Sequence, residues 1–90
     1  MQLKKEVRLN DGKFYDVVLD ISPTIDRYTC QITSPFYINP CYSVTNTIYK
    51  QNLDCFDPVE KMKVCIMAYN NILDLKKKFK EKVDEWDGKY

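Results

Sequence analysis

The longest stretch of this chain without an internal helix breaker covers residues 57–88. Asp57, Pro58 and Glu60 open it with an acidic N-cap residue, proline at the first helical position and glutamate at the third, which is a strong helix-start pattern. Neither proline nor glycine occurs again until Gly88, which suits a C-terminal stop. The pattern predicts one α-helix over about a third of the chain.

The predicted helix is longer than the strands of any sheet on which it can pack in a chain of 90 residues. About thirty helical residues span about 45 Å, whereas strands of about eight residues span about 26 Å. One end of the helix is therefore expected to extend beyond the sheet. Up to Leu75 more than half of the circumference is apolar, so this half is expected to cover the core. Asn70 and Asn71 are weak helix formers and would mark a bend or a break.

Upstream of the helix, apolar and polar residues alternate with a period of two, which indicates strands with one solvent-facing side. Four strands are predicted, over residues 3–9, 14–21, 26–33 and 42–49. Turn residues at Asn10–Gly12 join the first two into a β-hairpin, and Pro35 and Pro40 predict a loop over residues 34–41. The order β-β-β-β-α predicts a single small α+β domain over residues 1–90. An antiparallel four-stranded sheet, mostly within residues 1–56, precedes one long C-terminal α-helix.

The absence of histidine excludes the commonest kinds of enzyme chemistry. Histidine is the side chain that titrates nearest neutrality and that serves most often as a general base. The carboxylates are scattered and form no close cluster, so the sequence predicts neither a catalytic site nor a metal site. We expect a protein that is not an enzyme and that needs no cofactor.

The four cysteines, Cys30, Cys41, Cys55 and Cys65, contain no closely spaced pair, which argues against a structural zinc site. The first seven residues alternate charged and apolar side chains and lack the apolar stretch of a signal peptide, so we expect a reducing, cytoplasmic location. Buried free thiols are the favoured interpretation. No apolar run is long enough to predict a transmembrane helix, so no membrane partner is expected.

Beyond Leu75 the apolar residues of the predicted helix thin to a narrow stripe of Phe79, Val83, Trp86 and Tyr90. A line of large apolar residues flanked by polar ones is typical of a coiled-coil seam or of a helix that docks in a groove. Three interpretations stay open: the stripe packs on its own sheet, forms a homodimer seam, or contacts another protein. Lys76 lies on the same stripe and argues mildly against a long self-association seam, because a buried ammonium is costly.

A second candidate docking site is the aromatic segment with Phe36, Tyr37 and Tyr42. Rigid aromatic side chains on loops make good interface anchors. The alternative is that the same rings cap the core. On the predicted outer face of the sheet, Phe14 and Val18 are apolar residues among charged ones, and single exposed apolar residues are ordinary.

Five lysines surround Phe79, namely Lys76, Lys77, Lys78, Lys80 and Lys82. Basic patches with aromatic residues bind nucleic acid in some proteins. Here acidic residues follow at once and the chain carries a net charge of only +1, so a solvated helix face is favoured. The order β-β-β-β-α nevertheless resembles, in order of elements only, the Whirly-type and coactivator-type single-strand-binding folds. That resemblance implies a dimer that binds single-stranded nucleic acid.

Two functional hypotheses follow. The first is a small protein–protein interaction module without catalytic activity, such as an inhibitor or regulator. The many lysine, asparagine, isoleucine and tyrosine residues indicate an AT-rich genome and suit a phage or mobile-element accessory protein that acts on a host enzyme. The partner is then a protein of unknown identity. The alternative is a dimer that binds single-stranded nucleic acid, which the nearly balanced charge makes the less favoured hypothesis.

Overall fold

The structure is a computed structural model that describes residues 1–90, and it confirms the predicted α+β fold. Four antiparallel strands lie in the order β1-β2-β3-β4, and one long helix follows them. The elements are β1 Gln2–Arg8, β2 Phe14–Ile21, β3 Arg27–Thr33, β4 Tyr42–Thr47, a 3₁₀ helix Lys50–Cys55 and α1 Pro58–Glu85. The 3₁₀ helix was not predicted, because its six residues are mostly polar and show no hydrophobic periodicity. No helix combines the length and the apolar character needed to cross a membrane.

The core forms where alternate residues of the central strands meet the helix. Val17 lies opposite Ile32, and Leu19 lies opposite Cys30, so that these four side chains form two adjacent cross-strand pairs and are almost fully buried. From the helix, only Cys65 and Tyr69 are equally buried. The remaining buried apolar residues are Leu9, Tyr15, Ile21, Tyr28 and Ile48. The period-two pattern thus predicted the inner side of β2 and β3 correctly.

The helix lies over β2 and β3 and covers the edge strands less completely. On β1 the inward residues Leu3 and Val7 are only partly buried, as are Tyr42 and Val44 on β4. Beside β1 this leaves a shallow groove of about 490 Å³ whose floor includes Leu3 and Val7. A single helix about 10 Å wide cannot cover four strands spaced about 4.8 Å apart, so partial exposure of both edges follows.

The helix begins as the sequence predicts and runs without interruption past its two central asparagines. The Asp57 carboxylate accepts a hydrogen bond from the Val59 N–H at 3.0 Å, and Pro58 occupies the first turn. Asn70 does not break the helix. Its side-chain oxygen accepts a hydrogen bond from the Asn10 backbone N–H at 2.9 Å, which ties the β1–β2 turn to the helix.

The helix ends at Glu85, three residues before the predicted end at residue 88. Trp86 already has an extended backbone, with φ −73° and ψ 133°. Its indole Nε1 donates a hydrogen bond to the Lys89 carbonyl at 2.9 Å, and the Asp87 carboxylate accepts one from the Lys89 N–H. These local bonds compete with the next helical turn and stop the helix early.

The cysteines are free, but they are not all buried. Cys30 and Cys65 lie in the core, Cys41 is half-buried, and Cys55 is exposed at the end of the 3₁₀ helix. The prediction of four buried thiols was therefore wrong for Cys55, because the short helix that carries it has no buried residue. The contact with Cys30, together with burial, raises the pKa of the Cys65 thiol.

The link between turn and helix gives a matched pair of variants. Asn70→Ala removes the acceptor for the Asn10 N–H, whereas Asn71→Ala gains the same helix propensity at an exposed position. We expect the free energy of unfolding of Asn70→Ala to be about 1 kcal/mol below that of Asn71→Ala in urea denaturation. Equal stabilities would show that the turn contact does not stabilise the fold.

Thiol accessibility gives a second prediction. In native protein, Ellman's reagent should react rapidly with Cys55, more slowly with Cys41, and with Cys30 and Cys65 only after denaturation, because reaction requires an accessible thiolate. The Cys55→Ser variant should lose the rapid phase and keep the rest of the time course. A rapid phase that survives this substitution would contradict the exposed position of Cys55.

Candidate functional site

Three tyrosines meet at the point where the helix leaves the sheet. Tyr69 of α1 packs against Tyr15 of β2, with ring centroids 5.9 Å apart and planes at 74°. On its other side Tyr69 packs against Tyr42 of β4, also at 5.9 Å. Edge-on and tilted aromatic pairs at such distances are favourable. This tyrosine cluster anchors the helix at the end of the sheet that carries the β1–β2 turn and the β3–β4 loop, which we call the loop end.

The tyrosine cluster is tied to the β1–β2 turn by hydrogen bonds. The Tyr15 hydroxyl donates to the Asp11 carboxylate, which also accepts the Lys13 N–H at 3.0 Å. Burial, followed by the bond to Asp11, raises the pKa of Tyr15. Burial also acts to raise the pKa of Asp11, but the two hydrogen bonds outweigh it and lower that pKa. The turn and the helix are thus held to the same buried rings.

Beyond the tyrosine cluster the helix continues into solvent. From Asp74 onward every residue is exposed. We call residues 74–85 the helix extension; its twelve residues reach about 18 Å beyond the packed part of the helix. The molecule is correspondingly elongated, at 56 × 26 × 18 Å. The expected overhang is therefore present.

The apolar stripe lies on the helix extension and on the short tail after it. Phe79, Val83 and Trp86 are 58%, 64% and 58% exposed, and Tyr90 is fully exposed. The interpretation that the stripe packs on its own sheet is therefore wrong, because the sheet ends before the stripe begins. The structure leaves the other two interpretations, self-association and contact with another protein, in place.

The β3–β4 loop, residues 34–41, projects from the same end of the sheet. Phe36, Tyr37 and Ile38 are largely exposed. Tyr42, which was predicted together with Phe36 and Tyr37 as a docking residue, is not part of this exposed group. It lies at the start of β4, is half-buried and belongs to the tyrosine cluster.

The loop and the stripe lie at the same end of the sheet. Cys65 and Ala68 face Tyr42 and Val44 of β4. At about 100° per residue, Phe79 and Val83 continue that side of the helix beyond the sheet. We call the resulting apolar region the end surface, and it comprises Phe36, Tyr37, Ile38, Phe79, Val83 and Trp86. Sequence analysis found these two parts separately and gave no sign that the fold brings them to one end.

The five lysines are all exposed, and they do not form one basic face. Lys76, Lys77, Lys78 and Lys80 are nearly consecutive, so their side chains spread over roughly 200° of the helix circumference. The ion pairs of the chain join the N-terminal amine to Asp20 and Lys4 to Asp16, so no charge of the helix extension forms an ion pair within the chain. The Asp74 carboxylate, at the start of the extension, accepts hydrogen bonds from the Asn10 side chain.

The outer face of the sheet is polar, and charged side chains on it contact neighbouring side chains of the same face. Lys4 forms an ion pair with Asp16 at 3.3 Å, and the Arg8 guanidinium lies 5.9 Å from the centre of the Phe14 ring. The contact shields one side of Phe14. This face therefore offers neither a basic groove nor a row of free aromatic rings, which are the features that single-stranded nucleic acids bind.

A cavity of about 890 Å³ opens between the end of β4, the 3₁₀ helix and the start of α1. Its ionisable lining groups are Arg27, Tyr28, Tyr49, Cys55, Glu60 and Lys61. Glu60 is the only carboxylate among them, so no acid–base pair of carboxylates is assembled. Nowhere in the chain do three histidine, cysteine, aspartate or glutamate side chains converge in a metal-binding cluster.

No protein-family model, curated protein or solved structure matches this chain.

The tyrosine cluster predicts a loss of stability at high pH. Burial raises the pKa of Tyr15 and of Tyr69 above the ordinary value of 10.0, so the folded state holds these protons more tightly than the unfolded state. The corresponding stability is complete below about pH 10 and falls as the pH rises further. Urea denaturation at about pH 8 and about pH 11 should show this fall, and Tyr15→Phe should reduce its size. An unchanged fall in that variant would contradict a role for Tyr15.

Proposed function

We propose that this chain is a protein–protein interaction module without catalytic activity, of the inhibitor or regulator type, which docks through the end surface. The observation that carries the proposal is the helix extension: twelve helical residues project into solvent and present large apolar side chains. An inhibitor of this kind, carried by a phage or mobile element and directed at a host enzyme, fits the small size and the AT-rich residue usage.

Energetics support docking rather than chance exposure. Single exposed apolar residues are ordinary on protein surfaces, but a cluster of several large ones marks an interaction site. Aromatic side chains such as Phe79 and Trp86 contribute most where they become fully buried against a partner. At about 25 cal/mol per Å², covering both rings is worth a few kcal/mol.

The fold also prepares the extension for binding. A separate helix of about twelve residues is marginal in water, because nucleation of the first turn is unfavourable. Here the extension continues a helix that the tyrosine cluster already fixes. Binding to a partner therefore does not include the entropic cost of forming the helix. Preorganisation of this kind favours affinity.

The charge pattern gives less support to single-stranded nucleic acid as the partner. The lysines of the extension spread over roughly two-thirds of the helix circumference, and Glu81, Asp84 and Glu85 lie among or next to them. Phosphate binding requires several cations along one path, and it makes affinity strongly dependent on salt. A salt-dependent shift of a labelled oligonucleotide that is lost in Lys77→Glu/Lys78→Glu would favour nucleic acid over the proposal.

Site-specific photo-crosslinking in the natural host tests the proposal. A photoreactive residue at position 83 lies on the end surface, and one at Thr45 lies on the exposed outer face of the sheet. We expect irradiation to join a defined protein to position 83 and not to position 45. The adduct should decrease when Phe79→Ala is added, because that variant removes the adjacent anchor.

The outcome at the two positions separates the alternatives. Equal labelling at positions 83 and 45, or no adduct at either, would contradict docking through the end surface. An adduct of about twice the 10.7 kDa chain identifies a second copy as the partner, and any other mass identifies a different protein.

A further inference from the structure

We propose that the groove beside β1 binds a single-chain anionic amphiphile, of the class of a free fatty acid. The acyl chain lies on the apolar floor of the groove, and Lys5 and Lys63 hold its carboxylate. This site is separate from the end surface, so the inference does not depend on the proposed function. The width of the groove, the position of its lysines and the absence of a carboxylate from its lining support this assignment.

The groove is an apolar strip that the helix leaves uncovered. Its floor is formed by Leu3 and Val7 of β1 with Val17 of β2 beside them, and its wall is formed by Met62 and Ile66 of α1. Val17 is fully buried, whereas the other four side chains are only partly buried. Apolar atoms that cover this strip remove its surface from water, and that removal stabilises a complex.

The strip is too narrow for a helix of a partner protein. It is about as wide as one strand, because neighbouring strands lie about 4.8 Å apart and the helix packs on the central pair. A second helix, about 10 Å wide, would rest only partly on it. A single extended hydrocarbon chain has a width similar to that of the strip. The volume of about 490 Å³ lies within the ~300–1,000 Å³ range of small-molecule sites.

Lysines supply every charge that lines the groove. Lys5 lies opposite the buried Val17, so its side chain is on the same side of the sheet as the core. Lys63 lies on the helix, at the other rim of the groove. Neither forms an ion pair within the chain, whereas Lys4, the third lysine of the lining, is paired with Asp16. Two free ammonium groups therefore flank an apolar surface.

The charge of the lining selects an anion. No aspartate or glutamate lines the groove, although the chain as a whole contains 13 of them against 14 lysines and arginines. A carboxylate between Lys5 and Lys63 accepts charge-assisted hydrogen bonds from both, whereas a cationic head group meets two like charges. An apolar body with one anionic head is thus the chemistry that satisfies both parts of the groove.

The position of Lys5 has a second structural consequence. A charge that points inward on an edge strand discourages pairing of that strand with another chain. That role accounts for Lys5 alone, because Lys63 lies on the helix rather than on the edge strand. Binding of a carboxylate accounts for both lysines.

Calorimetric titration with dodecanoate, below its micelle-forming concentration and at low salt, tests the inference. Wild type should bind one molecule per chain. Hexanoate has the same head group and a shorter chain, so it should bind at least about tenfold more weakly because it covers less of the apolar floor. Dodecyltrimethylammonium has the same chain and a cationic head, and it should also bind at least about tenfold more weakly.

Charge reversal at the two lysines gives the matched comparison. Lys5→Glu/Lys63→Glu should bind dodecanoate at least about tenfold more weakly than wild type and should prefer dodecyltrimethylammonium. Lys77→Glu/Lys78→Glu makes the same change in net charge on the helix extension and should bind dodecanoate like wild type. All four positions are exposed, so both variants are expected to fold, and circular dichroism checks this.

Amide chemical shifts of isotope-labelled protein locate the bound molecule. Dodecanoate should shift the amides of residues 3–7 and 59–66, which line the groove, and leave those of β4 unchanged.

Three results would overturn the inference: no binding of dodecanoate by wild type, equal binding by Lys5→Glu/Lys63→Glu, and amide shifts that avoid the groove. Two further outcomes would assign the groove to another occupant. A photoreactive residue at position 59 that joins a host protein or a second copy, without binding of dodecanoate, would show a protein contact. Pelleting with vesicles of anionic phospholipid, again without binding of dodecanoate, would show a membrane surface.

Discussion

The contact of Tyr69 with Tyr15 and Tyr42 is the interaction on which the rest of this structure depends. It joins the helix to a central strand and to an edge strand at the loop end of the sheet. Hydrogen bonds through Asp11 and Asn10 connect the β1–β2 turn to the same region. From Asp74 onward the helix is exposed, so the tyrosine cluster fixes the direction in which the helix extension leaves the domain.

The helix is longer than the strands on which it packs, and this difference in length leaves its C-terminal part free for binding. Strands of six to eight residues cannot support a helix of 28 residues. The helix extension therefore projects beyond the sheet as a helix that is already folded. It has one apolar side, and most of its lysines precede most of its carboxylates.

The rest of the surface offers fewer alternatives. On the outer face of the sheet Lys4 is paired with Asp16, the cavity between β4 and the start of α1 contains a single carboxylate, and no three histidine, cysteine, aspartate or glutamate side chains converge in a metal-binding cluster. The end surface stands out because its loop and helix contributions reach the same region.

The sequence by itself determined the elements. Alternation with a period of two predicted the inner residues of β2 and β3, and the capping pattern at Asp57 predicted the start of a helix too long for its sheet. Only the tertiary structure decided that Tyr42 packs in the tyrosine cluster, that Asn70 supports the helix, and that the stripe extends beyond the loop end of the sheet. Periodicity and capping act between neighbours along the chain and are visible in sequence. Which side of the helix faces which strand depends on how distant side chains pack together, and no local pattern records that.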